Sequence, residues 1–284
     1  MPRSSVTARR VKAMRDADCA GFLQWALPRL GRHWPGYRKV RRLVCKRLGR
    51  RLRALGLAEL DGYRQYLLDH KEEWAALDAL CGIPISRFYR DRGVFEALER
   101  DVLPALATAA ASRGALDVWS AGCASGEEPY TLAILWAARL QSRYPYLALR
   151  IVATDIEETV LARARAGRFG SSSLKALPND LRGAGFERAN GEWRVRDPFR
   201  DIEFLRQDLR EEMPAGPFDL VLCRNVLFTY YAPSQRTTLL QRIMNRLRPG
   251  GALVVGLHES IPEEVQGLEP WPGVRSVYVR VNGA

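Results

Sequence analysis

Apolar positions recur along this chain in two different rhythms. Over residues 17–110 Leu and Ala dominate, β-branched runs are absent, and apolar residues return at helical spacing. The stretch YRKVRRLVCKRLGRRLRALGL places Val40, Val44, Leu48, Leu52 and Leu55 on one stripe, with Gly56 positioned to stop the helix. Two further helices are predicted over residues 60–70 and 72–80, before Gly82 and Pro84 break the pattern. Beyond about residue 114 the rhythm changes. Short apolar runs bounded by turn residues read as buried strands: LDVWSA (116–121), LRIVATD (149–155), IEFLRQD (202–208), FDLVLCR (218–224), GALVVGL (251–257) and VYVRV (277–281). Helical stretches such as 128–143 and 233–247 lie between most of them. Strands alternating with helices imply an α/β fold with a mainly parallel, doubly wound sheet. Between Phe186 and Val195, Asn190-Gly191 flanked by FER and WRV reads as a β-hairpin. Within it, Trp193 either packs on the sheet or marks an edge for a peptide strand.

Composition narrows the class. The 284 residues are 47% hydrophobic and 27% charged, values of a globular chain rather than a disordered one. No apolar run approaches the ~18–20 residues of a membrane helix. The five cysteines (Cys19, Cys45, Cys81, Cys123, Cys223) are odd in number and never CxxC, which predicts reduced thiols and a cytoplasmic location. The basic start MPRSSVTARRVKAM has no apolar stretch after it, so it reads as a frayed end and not as a secretory signal.

Charge is placed unevenly. Residues 1–60 hold 16 Lys and Arg against three acids, Asp16, Asp18 and Glu59, while residues 61–284 hold 28 against 29. The formal net charge of +12 therefore resides in the first fifth of the chain. Nine basic residues, the first Arg38 and the last Arg53, surround the apolar stripe of one helix with no acid among them. Such asymmetry predicts an acidic partner for this part.

Candidate chemistry sits at the strand ends. In an open α/β sheet, ligands bind beyond the C-terminal ends of the strands. The first strand runs into WSAGCASGEEPY, where Gly122 and Gly126 permit a tight turn and Glu127 and Glu128 open the next helix. A phosphate cradle uses backbone N–H groups and Lys, so this acid pair opposes a pyrophosphate and favours a cationic ligand. The second strand ends in Asp155, either an acceptor for ribose hydroxyls or a turn residue. Two more polar ends follow, Gln207-Asp208-Leu209 and Cys223-Arg224-Asn225-Val226. Together the four ends describe a site for S-adenosylmethionine. Cys123 and Cys223 lack ligand spacing and read as structural thiols, with no metal expected.

These same residues match a family. WSAGCASGEEPYTLA, ATDIEETVLARARAGRF, FDLVLCRNV and LRPGGALVVGLHES, with KRLGRRLRALGLAELDGYRQYL and ISRFYRD before them, resemble the motif series of the CheR-type chemoreceptor glutamate O-methyltransferases. The resemblance implies an all-helical, basic N-terminal domain with its linker (1–90). It further implies a Rossmann-like methyltransferase domain (91–284) carrying a small antiparallel β-insertion at about 184–200. It implies S-adenosyl-L-methionine as cofactor, S-adenosyl-L-homocysteine as product, and a chemoreceptor cytoplasmic helix as acidic substrate, docked on the basic helix. Carried over by position, Ser86 stands at the motif threonine that helps hold the methionine end, and Arg90 is the arginine at the catalytic centre. Glu128 contacts the cofactor, Asp155 is the ribose acid, Asp208 and Leu209 lie on the adenine side, and Asn225 and Val226 flank the cofactor.

Two departures stand out. The family reads N-V-x-I-Y-F-D, whereas here Thr229 holds the tyrosine place and Tyr230 follows one residue later. One residue turns a side chain by about 100° on a helix. The closing G-H-S-E is Gly256-Leu257-His258-Glu259, so the His is displaced as well. The catalytic candidates are therefore Arg90, to hold the acceptor carboxylate, and Tyr230, to assist by hydrogen bonding. Three rival readings are the same chemistry on another protein or small-molecule carboxylate, a nucleic-acid methyltransferase, and a non-catalytic cofactor-sensing module. The second lacks an N-P-P-Y-like string, a Pro-Cys nucleophile and interleaved aromatics on the basic helix.

Overall fold

The computed structural model describes residues 15–262 and 264–281. The basic start at residues 1–14 lies outside them. The chain packs as two units: one running to Ile83 and joined by Tyr230–Ala232, the other made of Pro84–Thr229 and Pro233 onward.

The first unit is helical: α1 (Asp16–Arg29), α2 (Trp34–Tyr37), α3 (Arg41–Ala54), α4 (Leu60–Asp69) and α5 (Glu73–Leu80). The predicted stripe is the reason α3 packs. Val44, Leu48 and Leu52 are fully or nearly fully buried, and Val40 and Leu55 flank them half-buried. Gly56 ends the helix at φ 69, and the Leu57 N–H donates back to the Leu52 carbonyl (2.9 Å). This is the left-handed cap that glycine adopts without Cβ strain. The nine basic residues of this segment divide by environment. Arg41 pairs with Asp16, Arg47 donates to the carbonyls of Leu80 and Gly82, and Arg51 grips Glu73 at 2.9 and 2.5 Å. Arg38, Lys39, Arg42, Lys46, Arg50 and Arg53 are exposed.

One expectation is corrected here. Cys19 of α1 and Cys45 of α3 form a disulfide, with Cα atoms 6.0 Å apart. They are 26 residues apart in sequence, and only the packing of the two helices brings them together. Cys81, Cys123 and Cys223 are free and buried. Residues 230–232 complete this unit. The Tyr230 carbonyl accepts the His33 N–H (2.8 Å), the Ala232 N–H donates to Gly31 (2.9 Å), and the Arg32 guanidinium lies 5.0 Å from the Tyr231 ring centre.

In the second unit, α6 (Arg92–Ala97) and α7 (Leu103–Ala110) precede β1 (Ala115–Ala121). Then come α8 (Glu127–Leu135), β2 (Ala148–Asp155), α9 (Glu158–Ala166), β3 (Arg168–Phe169) and α10 (Asn179–Gly185). They are followed by β4 (Phe186–Ala189), β5 (Glu192–Val195), β6 (Ile202–Arg206) and β7 (Phe218–Leu222). The unit continues through α11 (Leu227–Tyr230), α12 (Pro233–Met244), β8 (Leu247–Val254), β9 (Leu268–Pro270) and β10 (Val277–Arg280). The main sheet runs β6-β2-β1-β7-β8-β10-β9. Its first five strands are parallel, and β10 is antiparallel to both neighbours. The fold is thus the Rossmann-like one expected. Central β7 is buried at all five positions, which explains its continuous apolar run. Its one acid, Asp219, is held by the Asp117 N–H (2.9 Å) and by Arg113 and Arg248.

The hairpin turn forms where expected. Asn190 (φ 53) and Gly191 (φ 79) join β4 to β5 with both residues in the left-handed region. Two-residue β3 adds to β5 and makes a three-stranded sheet, too short an addition to show as a run in the sequence. Trp193 lies half-buried under Arg188, whose guanidinium is 4.0 Å from the ring centre.

Candidate active site

The chain winds outward from β1 through β2 to β6, then returns to start β7 on the other side of β1. The crevice at such a reversal is where doubly wound sheets hold their ligands. The loops after β1 and β7 meet there. Gly122 sits at φ 75, and a Cβ on it would lie 2.5 Å from Cγ2 of Val226. No side chain fits at this position, so the backbone comes directly under Val226.

Asp155 closes β2 and organises this loop. Its Oδ2 accepts the Ala124 N–H (2.9 Å) and its Oδ1 the Glu157 N–H (3.0 Å). Burial raises the Asp155 carboxyl above its ordinary range, and these backbone donors oppose the rise. At the end of β6, the Gln207 N–H donates to the Asp155 carbonyl (3.0 Å). The Asp208 carboxylate is taken by Arg210 through its backbone N–H, Nε and Nη2. Leu209 is buried, and its carbonyl accepts from Arg242 (3.1 Å). The nearby Gln207 keeps a buried amide oxygen with no hydrogen-bond partner among the described residues.

The two acids opening α8 have opposite roles. Glu128 is fully engaged: Oε1 accepts from Ser120 Oγ (2.7 Å) and Oε2 from Arg224 Nη1 (3.0 Å). Glu127 is 3% exposed, and its Oε2 is buried with no hydrogen-bond partner among the described residues. Burial pushes the Glu127 carboxyl upward, while nearby N–H groups, Arg163 and the Ser86 hydroxyl pull it down. An unsatisfied buried carboxylate oxygen is costly unless a ligand cation or donor completes it. The sequence could not tell the two acids apart, because both stand in the first turn where the helix dipole favours them.

Arg90 lies between two residues of unusual backbone, Tyr89 (φ 56) and Asp91 (φ 58). Non-glycine residues keep such a conformation only where the surroundings hold it. The holder is Arg224, 6% exposed, which donates to the Arg90 carbonyl (2.7 Å), Asp91 Oδ2 (2.9 Å) and Glu128. The Tyr89 N–H adds a bond to Thr131 Oγ1 (3.2 Å). The Arg90 side chain is half-buried and donates to the Ile85 carbonyl (3.2 Å). Arg224 was visible in the sequence only as part of a strand end.

After β7, Asn225 (φ 56) and Val226 lie half-buried beside Gly122. Thr229 does not stand free: its hydroxyl donates to Glu259 Oε1 (2.5 Å). Tyr230 packs in the helical unit, its ring edge-on to Tyr37 at 5.1 Å. Burial drives the Cys123 and Cys223 thiols well above their ordinary value, so neither offers a thiolate. The strand-end loops thus bring Gly122, Asp155, Asn225 and Val226 together, and Ser86 meets Glu127.

These residues fit S-adenosylmethionine. The bare backbone at Gly122 allows close approach, Asp155 terminates the second strand, and the unmatched oxygens of Glu127 and Gln207 await donors. Topology and site together define an S-adenosylmethionine-dependent methyltransferase. The family model described as CheR methyltransferase, SAM binding domain, matches residues 85–275, and the chain belongs to that family. A chemotaxis protein methyltransferase of Listeria monocytogenes is 37% identical over 184 residues, covering 64% of this chain and 68% of that protein. One from Salmonella typhimurium is 34% identical over 239 residues, covering 80% and 78%. An uncharacterized 104.1 kDa protein of Rhodobacter capsulatus is 34% identical over 219 residues, 77% of this chain, which spans only 23% of that protein's length.

Proposed function

We propose that this chain methylates glutamate side chains of an acidic, chemoreceptor-like protein. The observation carrying this reading is the acid set after β1 and β2, buried Glu127 and half-buried Asp155, in a chain whose relatives include chemotaxis protein methyltransferases. S-adenosylmethionine, when bound, supplies a sulfonium methyl: the acceptor carboxylate forms the new C–O bond as the C–S bond breaks, leaving a methyl ester and S-adenosylhomocysteine. The acceptor is already ionised near pH 7, since a glutamate titrates at about 4.3, so no general base is required.

The residues of this chain then bind and orient. Glu127 meets the cationic end of the cofactor, Asp155 and Gln207 the nucleoside side, and Asn225 and Val226 close over Gly122. Arg90 is assigned the acceptor carboxylate, holding one oxygen and leaving the other free. Orientation of this kind contributes about 7–11 kcal/mol in favourable cases. Tyr230 is the second catalytic assignment, and Tyr230→Phe tests it by removing only the hydroxyl; an unchanged kcat ends that assignment. Docking is assigned to the exposed residues of α3 and its approach, Arg38, Lys39, Arg42, Lys46, Arg50 and Arg53. Among the described residues no helix is long and apolar enough to cross a membrane. A cytoplasmic location belongs to the same proposal and is checked by cell fractionation.

The decisive experiment uses labelled S-adenosylmethionine with acidic receptor helices as acceptor, followed by alkali. Volatile methanol counts establish a methyl ester. Base-stable counts reject glutamate as the acceptor and move the methyl to nitrogen, sulfur or an ether oxygen.

A further inference from the structure

We propose that Glu259 is the positioning residue of the cofactor-binding loop after β7, and that Thr229 completes its hold. This deepens the methyltransferase reading and rests on it. The Glu259 Oε2 accepts two backbone N–H groups, those of Asn225 (2.7 Å) and Gly256 (2.7 Å). Its Oε1 accepts the Thr229 hydroxyl (2.5 Å). A single carboxylate therefore ties the loop after β8 to both ends of the segment after β7.

Each attachment meets a backbone feature that needs it. Asn225 sits at φ 56, a conformation a non-glycine residue keeps only under constraint, and its N–H is one of those gripped. At Gly256 a Cβ would lie 2.7 Å from Glu259 Oε2 and 2.9 Å from Asn225 Oδ1, so the carboxylate enters only because that position is bare. Val226, next after Asn225, rests on Gly122 at a distance that leaves no room for a side chain. The chain of contact thus runs from Glu259 through Asn225 and Val226 to the floor of the cofactor cleft. Arg236 of α12 interacts electrostatically with the same carboxylate. Thr229, where this sequence departs from its family's pattern, meets in this bond the glutamate that closes the Gly256-Leu257-His258-Glu259 segment.

The test measures S-adenosylhomocysteine affinity by calorimetry, which needs no acceptor, beside thermal melting. Glu259→Ala is expected to weaken binding about tenfold, the scale of losing charge-assisted bonds to a loop. Thr229→Val should weaken it about threefold, with melting within about 2 °C of the parent, and Thr229→Ser should restore it. In the Thr229→Val/Glu259→Ala pair, the threonine cost should vanish. Additive costs, or an unchanged affinity in folded Glu259→Ala, overturn the proposal. If Glu259→Ala does not fold, Glu259→Gln replaces it, keeping an acceptor for the N–H groups and a donor for Thr229. Because that amide still meets the threonine hydroxyl, the test then rests on Thr229→Val alone, and an affinity equal to the parent's overturns the proposal. A parent protein that binds no S-adenosylhomocysteine would instead sink the methyltransferase reading itself.

Discussion

Arginine is used in opposite ways by the two units. Along α3 and its approach in the helical unit, six basic residues look into water, while Arg41, Arg47 and Arg51 hydrogen-bond to partners within the unit. In the sheet unit, Arg224 is buried and serves three acceptors at once, two of them on the Arg90 loop. An exposed cation is screened by salt and contributes to encounter more than to folding. A buried one is costly to desolvate, so it persists only where acceptors offset that cost, and its loss leaves those partners exposed to the same cost. Counting charge along the chain therefore locates an exposed basic face, and it is silent about the buried Arg224.

The contrast can be broken most sharply at Arg224. Arg224→Ala should cost about 3–5 kcal/mol in urea unfolding, because Glu128 and Asp91 lose their cation, and it should abolish methyl transfer. A variant within twofold of the parent in both would end the distinction. Next in size is Asp155→Ala, expected to reduce S-adenosylhomocysteine affinity about 10- to 100-fold, as two loop N–H groups lose their acceptor. Undiminished affinity in calorimetry would refute the cofactor assignment. Arg90→Ala should keep that affinity and lose transfer; normal turnover would strip Arg90 of its role.

Glu127 offers a test through pH. Its folded carboxyl titrates above the unfolded value because burial disfavours the charge. The protonated form therefore contributes stability that is present below the unfolded value and fades as pH rises through the folded one. A cationic ligand reverses the preference. S-adenosylmethionine affinity should rise with pH across that window, with proton release visible as a buffer-dependent binding heat, and Glu127→Gln should flatten both. Buffer-independent heats would argue against contact with a cation.

The smallest effect concerns α3. Replacing Arg42, Lys46 and Arg50 by Glu should raise KM for an acidic protein acceptor about tenfold at low salt, with the gap closing as salt increases. Cofactor affinity should stay put. Arg51→Glu makes the internal control: it faces Glu73, whose carboxyl Arg51 holds below its ordinary value, so this change should lower stability instead. If both sets behaved alike, the division of α3 into docking and structural arginines would fail.

Much of this architecture was legible in advance. The stripe from Val44 to Leu52, the six apolar runs, the Asn190-Gly191 turn and the polar strand ends all express periods or turn preferences within a few residues. The strand-end candidates at Gly122, Asp155, Asn225 and Val226 followed from the rule that open sheets bind at strand ends. What escaped were pairings across distance. Nothing in the spacing tied Cys19 to Cys45, separated Glu127 from Glu128, or joined Arg224 to a glutamate 96 residues away. Thr229 read as a lost tyrosine until its hydroxyl met Glu259.

By itself, then, the sequence determined the order and kind of elements and the segregation of positive charge, and it named the strand-end candidates. All of these depend on local periodicity and composition. Only the tertiary structure decided which acid is satisfied and which is left open, which arginines are spent on structure, and what holds the Arg90 and Asn225 backbones in left-handed conformations. Those outcomes depend on burial and on hydrogen-bond partners that the chain brings together only when the sheet and its loops have closed.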